Sequence, residues 1–527
     1  MEGGGVRWEE SGGRRVLGID PGLLSRLAFE AFRDVNFLFR TPHLEQWAAI
    51  LGDPRASEND RYVAAVLLRN AAISAEGVLP ACQDTGTAAV IGMKGEDVRT
   101  GADDEQLIAA GVREAYATCN LRFSQVAPVS LFEEEDTRSN LPAQIDIYSA
   151  PAGSPGGAEY RFLFIAKGGG SANKTAFFQE TKALLNEASL EKFLREKVRA
   201  LGTAGCPPYH LAAVIGGSSA EENLKILKLA TAGALDAAPF FGEVRAGAPP
   251  EPGQPFRDAG GEERLVSYAR ETGFGAQFGG AFLALDARVV RLARHAASLP
   301  VSIGVSCSAH RNALARVGDD GAWIEDFDRD PSRFLPRALP VISRATGGAA
   351  RVDLDRPIRE VCAELSRYPV GTLVLLSGPM AVARDAAHAR LARMLREGQP
   401  LPRWLSAHPV YYAGPARTPP GGVIGSFGPT TAQRMDPYVR SFQSRGASLV
   451  MLAKGNRSAE VAESCREFGG FSLGTIGGAA AVIARENIVR EQILAFPELG
   501  MEAVRRIEVR DLPAFVVIDD KGNTLSE

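Results

Sequence analysis

Residues 80–93 read PACQDTGTAAVIGM, and the character of the chain changes within them. Before this stretch, residues 23–35 and 60–74 space Leu, Ala, Val and Phe at helical intervals, until Pro80 stops the pattern. Within it, Cys82-Gln83-Asp84-Thr85-Gly86 is a turn-rich run holding a thiol and a carboxylate, and β-prone residues begin at Thr87. After it, further β-rich runs, QIDIY at 144–148 and YRFLFIA at 160–166, surround a predicted helix over 104–118. Helices over 191–201 and 220–232 follow. This order predicts an α+β N-terminal domain.

Residues 242–262, GEVRAGAPPEPGQPFRDAGGE, read as a surface loop or insertion, because β-like runs resume at 281–292 and 300–307. A stronger boundary lies near residues 325–355, where Asp, Arg, Pro and Gly dominate. Beyond it a fresh alternation is predicted: helix 357–367, strand 372–377, helix 382–396, strands near Val410 and at 448–452, helix 458–468, and late strands at 505–509 and 515–518. The fold class is therefore mixed α and β in two domains. The N-terminal domain spans 1–325, a linker 326–355, and a C-terminal α/β domain 356–527.

The composition excludes several classes of function. The 527 residues are 45% hydrophobic and 23% charged, and 59 Lys+Arg against 63 Asp+Glu leave a net charge of −4. That balance argues against a nucleic-acid partner or a polybasic membrane binder. No apolar run approaches the ~18 residues of a membrane span. The start, MEGGGVRWEESGGRR, has no apolar signal region and carries three glutamates, so the cytoplasm is the expected compartment. Six cysteines are too few for a disulfide framework.

The cysteines divide by context. Cys119, Cys362 and Cys465 lie in or at the end of helical patterns and read as small packed hydrophobes. Cys82, Cys206 and Cys307 lie in turn-rich runs, each a hundred residues or more from the next. That spacing excludes a local zinc finger or ferredoxin run; if they meet, the tertiary fold brings them together. Three converging thiolates would suit an iron-sulfur cluster one ligand short of four, with one iron open to substrate. One tightly held zinc in a partner-binding module is the rival reading.

Other motifs weigh less. Residues 168–175, GGGSANKT, fail the phosphate-loop pattern because Asn173 precedes Lys174, leaving a glycine-rich anion cradle as an option. Residues 470–474, GFSLG, match the nucleophile-elbow pattern around Ser472, which recurs by chance in a glycine-rich chain. Six histidines without HExxH disfavour a zinc protease. Arg434 in TTAQR and the pair Lys454 and Arg457 in KGNR follow turns, where such side chains either hold carboxylates or coat the surface.

Nine segments in one order, including PACQDTGTAAVIG, KGGGSANKT, GTAGCPPYHLAAVIGG, GSFGPTTAQRMD, LAKGNRS and FPELGMEAV, together resemble the class I, oxygen-sensitive iron-sulfur fumarate hydratases from about residue 20 to the end. The resemblance implies reversible hydration of fumarate to (S)-malate, a [4Fe-4S] cluster, a homodimer, and a site between a cluster-binding N-terminal domain and a C-terminal domain that closes over it. By motif, Cys82, Cys206 and Cys307 are the implied cluster ligands. Gln83, Asp84, Arg122, Gly170 and His295 are implied site residues of the N-terminal domain, and Arg384, Thr430, Arg434 and Lys454 of the C-terminal one. L(+)-tartrate dehydratase is a relative that usually divides the two domains between subunits. Three positions depart from the pattern: His310 stands where Asp is expected, Ala296 and Gln433 where glycine is expected. They bear on preference among fumarate, mesaconate and tartrate.

The chemistry agrees with these roles. Arg122, Arg384, Arg434 and Lys454 form a clamp for two carboxylates whose charge grows in the transition state. The resemblance implies Thr430, activated by Asp84, as the base, and His295 is its rival because an imidazole is better matched to neutral pH. Cluster ligands from one domain and half the clamp from the other predict a hinge near 325–355.

Overall fold

The computed structural model describes residues 5–153, 157–236, 245–246 and 254–525. The expected helical start is present as Pro21–Phe37, Thr41–Ile50 and Glu58–Ser74. The last begins at a reciprocal cap, in which Ser57 and Asp60 satisfy each other's backbone N–H groups. An antiparallel hairpin, Val6–Ser11 with Arg14–Ile19, precedes these helices and was not expected.

Two mixed sheets build the rest of the N-terminal domain. In the first, strand Thr87–Gly95 lies between Gln144–Ala150, parallel to it, and Tyr160–Lys167, antiparallel. In the second, Tyr209–Gly217 lies between Ala284–Arg294, parallel, and Leu299–Ser306, antiparallel. Ile91, Leu163 and Ile165 of one sheet pack against Ala212, Val214 and Val290 of the other, with Leu227 of helix Ala220–Thr231 between them. Residues 242–244 and 247–253 of the loop expected at 242–262 lie outside the described residues. Its end is helical, since Asp258 caps helix Ala259–Glu271.

The C-terminal domain is a seven-stranded sheet in which Leu373–Val382, Val410–Tyr411, Val450–Ala453 and Phe471–Gly474 run parallel. Strand Val504–Ile518 pairs with both Phe471–Gly474 and Leu373–Val382, closing five strands on themselves. The two late strands expected at 505–509 and 515–518 are thus one, interrupted only by Asp511 at φ 46°.

The expected linker is built into the core. Within 326–355, Pro331–Phe334 and Leu335–Gly347 are helical and carry Phe334 and Ala338 onto helix Glu58–Ser74, while Ala350–Asp353 is an edge strand of the C-terminal sheet. Ile476, Ala479 and Phe515 of the C-terminal domain join that same apolar cluster, with Phe515 stacked on Phe278 at 4.1 Å. A hinge at 326–355 would have to peel this helix from a shared core; the segment is a packed joint.

Buried titratable groups give this core a pH dependence. His388 is fully buried among Tyr412, Tyr438 and Phe442, and donates from Nδ1 to the Arg384 carbonyl at 3.0 Å. Burial pushes its imidazole down to about 4 from an ordinary 6.5. The unfolded chain therefore binds a proton that the folded chain refuses between those values, so stability is full above about pH 6.5 and falls as pH drops toward 4. We expect unfolding free energies from urea titrations at about pH 7.5 and pH 5 to differ by on the order of 2 kcal/mol from this residue, and the difference to shrink in His388→Gln.

Candidate active site

Strand register brings the three turn cysteines together. His210 lies opposite Ser306, so Cys206, just before one strand, and Cys307, just after the other, share one end of the second sheet. Thr87 lies opposite Lys167, so the Cys82-Gln83-Asp84 turn meets the glycine loop at 168–170. Cys206 takes the left-handed conformation, φ 63°, and its carbonyl accepts the Ser308 N–H at 2.9 Å. All three are free thiols close enough to perturb one another electrostatically. A Cβ at Gly477 would stand 2.4 Å from the Cys206 sulfur, so the C-terminal domain meets the thiols with a bare backbone.

Cations line the same place. Lys454 Nζ lies 2.8 Å from Cys206 Sγ, and the buried Arg311 guanidinium donates to the Asp84 carbonyl. Burial raises the Cys82 and Cys206 thiols, Cys206 to about 11, while Lys454 opposes the rise at both and Arg311 at Cys82. Burial would raise Asp84 too, but Arg122, Arg311, Lys454 and the Gly169 N–H at 2.9 Å outweigh it and hold the carboxyl below its ordinary value.

The C-terminal contribution comes from the carboxyl ends of the parallel strands, where open α/β sheets bind ligands. Arg384 follows strand Leu373–Val382 and Lys454 follows Val450–Ala453. Thr430 bridges both sides, its N–H bonded to the Tyr412 carbonyl at 2.8 Å and its own carbonyl to the Lys454 N–H at 3.1 Å. Gln83 Nε2 donates to the Pro429 carbonyl at 2.9 Å, stitching the domains together; a Cβ at Gly428 would strike its side chain. A cavity of about 800 Å³ results, lined by Gln83, Asp84, Arg122, Gly170, Arg384, Thr430, Arg434 and Lys454. Gly170 leaves room for Lys454, whose Nζ would lie 3.2 Å from a Cβ there.

Not every sequence candidate joins. His295 is exposed on the turn between Ala284–Arg294 and Leu299–Ser306, accepts the Ala297 N–H at 3.2 Å, and does not line this cavity. Arg457 is buried in an ion pair with Asp436 at 2.7 Å. Ser472 is buried inside strand Phe471–Gly474, whereas a nucleophile elbow needs an exposed turn. In the glycine loop the Gly169 N–H is bonded to Asp84, so the anion this cradle holds is the chain's own carboxylate. Three residues were missed. Arg311 sits four positions after Cys307. Asp385 and Glu502 are counter-ions, Asp385 3.3 Å from Arg434 and Glu502 3.4 Å from Arg384. The adjacency of Asp385 to Arg384 was the available signal; Glu502 had none beyond its motif.

Comparison with known proteins decides the family. The model for fumarate hydratase matches residues 25–316 and that for the fumarase C-terminus residues 321–527. The chain is 53% identical over 511 residues to the aerobic class I fumarate hydratase of Salmonella typhimurium, covering 97% of this chain and 86% of the relative. The anaerobic class I enzyme of Escherichia coli is 52% identical, with 97% and 91% covered, and fumarate hydratase 2 of Leishmania major 52%, with 97% and 88%. The chain belongs to the class I fumarate hydratase family. Its two matched segments adjoin between residues 316 and 321, so the packed joint at 326–355 falls within the second. Membership in the class I fumarate hydratases implies an iron-sulfur cofactor, and the donor set fits one: three soft, undisulfided sulfurs from separate loops, with buried cations to offset their charge. A putative L(+)-tartrate dehydratase subunit beta of Methanocaldococcus jannaschii is 32% identical over 168 residues, covering 31% of this chain and 86% of that subunit. Among the described residues no helix is long and apolar enough to cross a membrane.

Proposed function

We propose that this chain interconverts fumarate and (S)-malate by reversible hydration, with a [4Fe-4S] cluster held by Cys82, Cys206 and Cys307, in a homodimer. The observation that carries the proposal is the single cavity in which Arg122, Arg384, Arg434 and Lys454 converge beside the cysteines. These four cations, with Arg138 and Lys167 on the same lining, exceed the five carboxylates Asp84, Glu134, Asp136, Glu498 and Glu502, and that excess favours an anionic ligand with two carboxylates.

The cluster, when bound, supplies an iron without a protein ligand as a Lewis acid for the substrate hydroxyl. The guanidinium groups and Lys454 hold the two carboxylates, and strengthen those contacts as negative charge develops on the carboxylate next to the reacting carbon. Counter-ions keep the guanidinium groups oriented before substrate arrives: Glu502 for Arg384 and Asp385 for Arg434. Thr430 moves the carbon-bound proton. The Arg434 guanidinium donates to Thr430 Oγ1, which favours the deprotonated hydroxyl, and ionised Asp84 lines the same cavity to take up the proton.

Action on mesaconate or L-tartrate is the second reading, favoured by the likeness of 168 residues to a putative L(+)-tartrate dehydratase subunit beta and by Gln433 beside Arg434. The test is anaerobic purification, reconstitution with iron and sulfide, and measurement of fumarate consumption with malate formation. We expect about four irons per chain and a kcat/KM for fumarate above those for mesaconate and tartrate. Full iron uptake with turnover of tartrate alone would transfer the chemistry to the other acid.

A further inference from the structure

Three of the six histidines meet beneath the Cys307 turn, outside the dicarboxylate cavity. His43 comes from helix Thr41–Ile50, His210 from strand Tyr209–Gly217, and His310 from the turn itself. Their ring centroids lie 4.9 Å apart for His43 and His210, 3.9 Å for His210 and His310, and 5.4 Å for His43 and His310.

Donor and acceptor chemistry fixes their protons. His43 Nε2 lies 2.7 Å from the Ser308 carbonyl, which only accepts, so this nitrogen carries hydrogen. His43 Nδ1 lies 2.9 Å from His210 Nε2, and one proton must occupy that gap. His210 Nδ1 lies 2.7 Å from the Asp286 carboxylate, which Arg288 at 2.8 Å and Gln46 at 2.9 Å keep as an acceptor, so it also carries hydrogen. The two rings together hold one proton more than two neutral imidazoles. Burial and the neighbouring His210 push the His43 imidazole down to about 3, and the hydrogen-bond geometry keeps the extra proton within the pair, next to Asp286.

The far end of this chain grips the cysteine turn. Ser308, whose carbonyl takes the His43 hydrogen, donates its N–H to Cys206. His310 donates its N–H to the Cys307 carbonyl at 2.9 Å, and its Nδ1 lies 2.9 Å from Ser306 Oγ. A largely buried ion pair such as His210 with Asp286 contributes little net stability, and the best-attested use of such pairs is to fix one arrangement among several. Taking Cys307 as a cluster ligand, as proposed above, we propose that His43, His210 and Asp286 form a positioning relay that fixes the Cys307 turn relative to Cys206, with His310 packed on the relay as its cap.

The test compares His43→Leu, which cuts the relay, with His43→Gln, whose amide can donate to Ser308 and accept from His210. In the reduced, metal-free full-length chain, alkylation of Cys307 relative to Cys206 is followed by mass spectrometry. In the reconstituted enzyme, iron release to a chelator is followed alongside KM for fumarate. We expect His43→Leu to raise both rates by about tenfold to a hundredfold, the range for losing an outer-shell partner of a metal site, with KM unchanged and His43→Gln within about twofold of the parent. Unchanged Cys307 reactivity in both variants, or glutamine behaving as leucine does, overturns the relay. If the leucine chain does not fold, Asp286→Asn, which keeps an acceptor and removes the charge, is expected to accelerate both rates severalfold; parental rates there overturn the relay. A parent chain that binds no iron while Cys307 still becomes reactive in His43→Leu removes the cluster and retains the relay.

Discussion

Cys206→Ser is expected to eliminate iron-sulfur absorbance and fumarate hydration together, while far-UV circular dichroism stays that of the parent. Serine fills nearly the same volume and can still accept from Lys454 Nζ, now 2.8 Å from the sulfur, so the buried ammonium keeps a partner. What is lost is the soft donor. A hydroxyl does not replace thiolate at iron, and with two cysteines left the cluster has no stable seat. Lewis-acid assistance is worth several kcal/mol of barrier, and about 4 kcal/mol corresponds to roughly a thousandfold, so residual turnover should fall by at least that factor. The control is Cys465→Ser. That thiol is also fully buried, but it packs inside helix Ala459–Phe468 of the C-terminal domain, so its loss should lower the melting temperature and leave iron content and kcat unchanged. Wild-type hydration by Cys206→Ser would remove the thiol from the mechanism.

Local signals were legible where one element contains its own cause. Helix Asp104–Thr118 matches its expected span because Asp103 caps it, accepting from the Glu105 and Gln106 N–H groups at 3.0 and 3.2 Å. The N-terminal hairpin has a local signal as well, the Gly12-Gly13 pair at φ 58° and 76° between two polar runs, though neither strand alternates cleanly. The joint at 326–355 shows the opposite case. Its Pro, Arg and Gly content reads as a linker, yet Phe334, Ala338, Val341, Ile342 and Ala345 pack on the core at helical spacing, an apolar stripe that Pro336 and Pro340 hide from a reading by composition. In KGNR, Lys454 and Arg457 are three residues apart and looked alike. One reaches Cys206 and the other is sealed against Asp436, a distinction made by partners distant in sequence. His295 entered through resemblance alone, and its exposed turn supplies no contact to the cavity of its own chain.

That difference between His295 and Thr430 makes the second large effect measurable. Thr430→Val keeps the shape of the side chain and removes the hydroxyl, so the clamp should still bind both carboxylates. We expect kcat to fall by about a hundredfold to ten-thousandfold, the usual span for losing a positioned acid or base, with KM for fumarate within a few-fold of the parent. Arg434→Gln should divide its effect differently. Arg434 is half exposed and held by Asp385 at 3.3 Å, and its guanidinium also donates to Thr430, so KM should rise and kcat fall together. Asp84→Asn tests the remaining step. The amide cannot take a proton, and it also removes a negative charge facing Arg122 at 3.6 Å, so kcat should fall as in Thr430→Val while the clamp becomes more cationic. If Thr430→Val retains its kcat and His295→Gln loses it, the base is an imidazole, and because His295 stands outside its own chain's cavity it would have to be delivered by a second copy. The kcat of those two variants, measured side by side, therefore decides both the identity of the base and whether one chain holds a complete site.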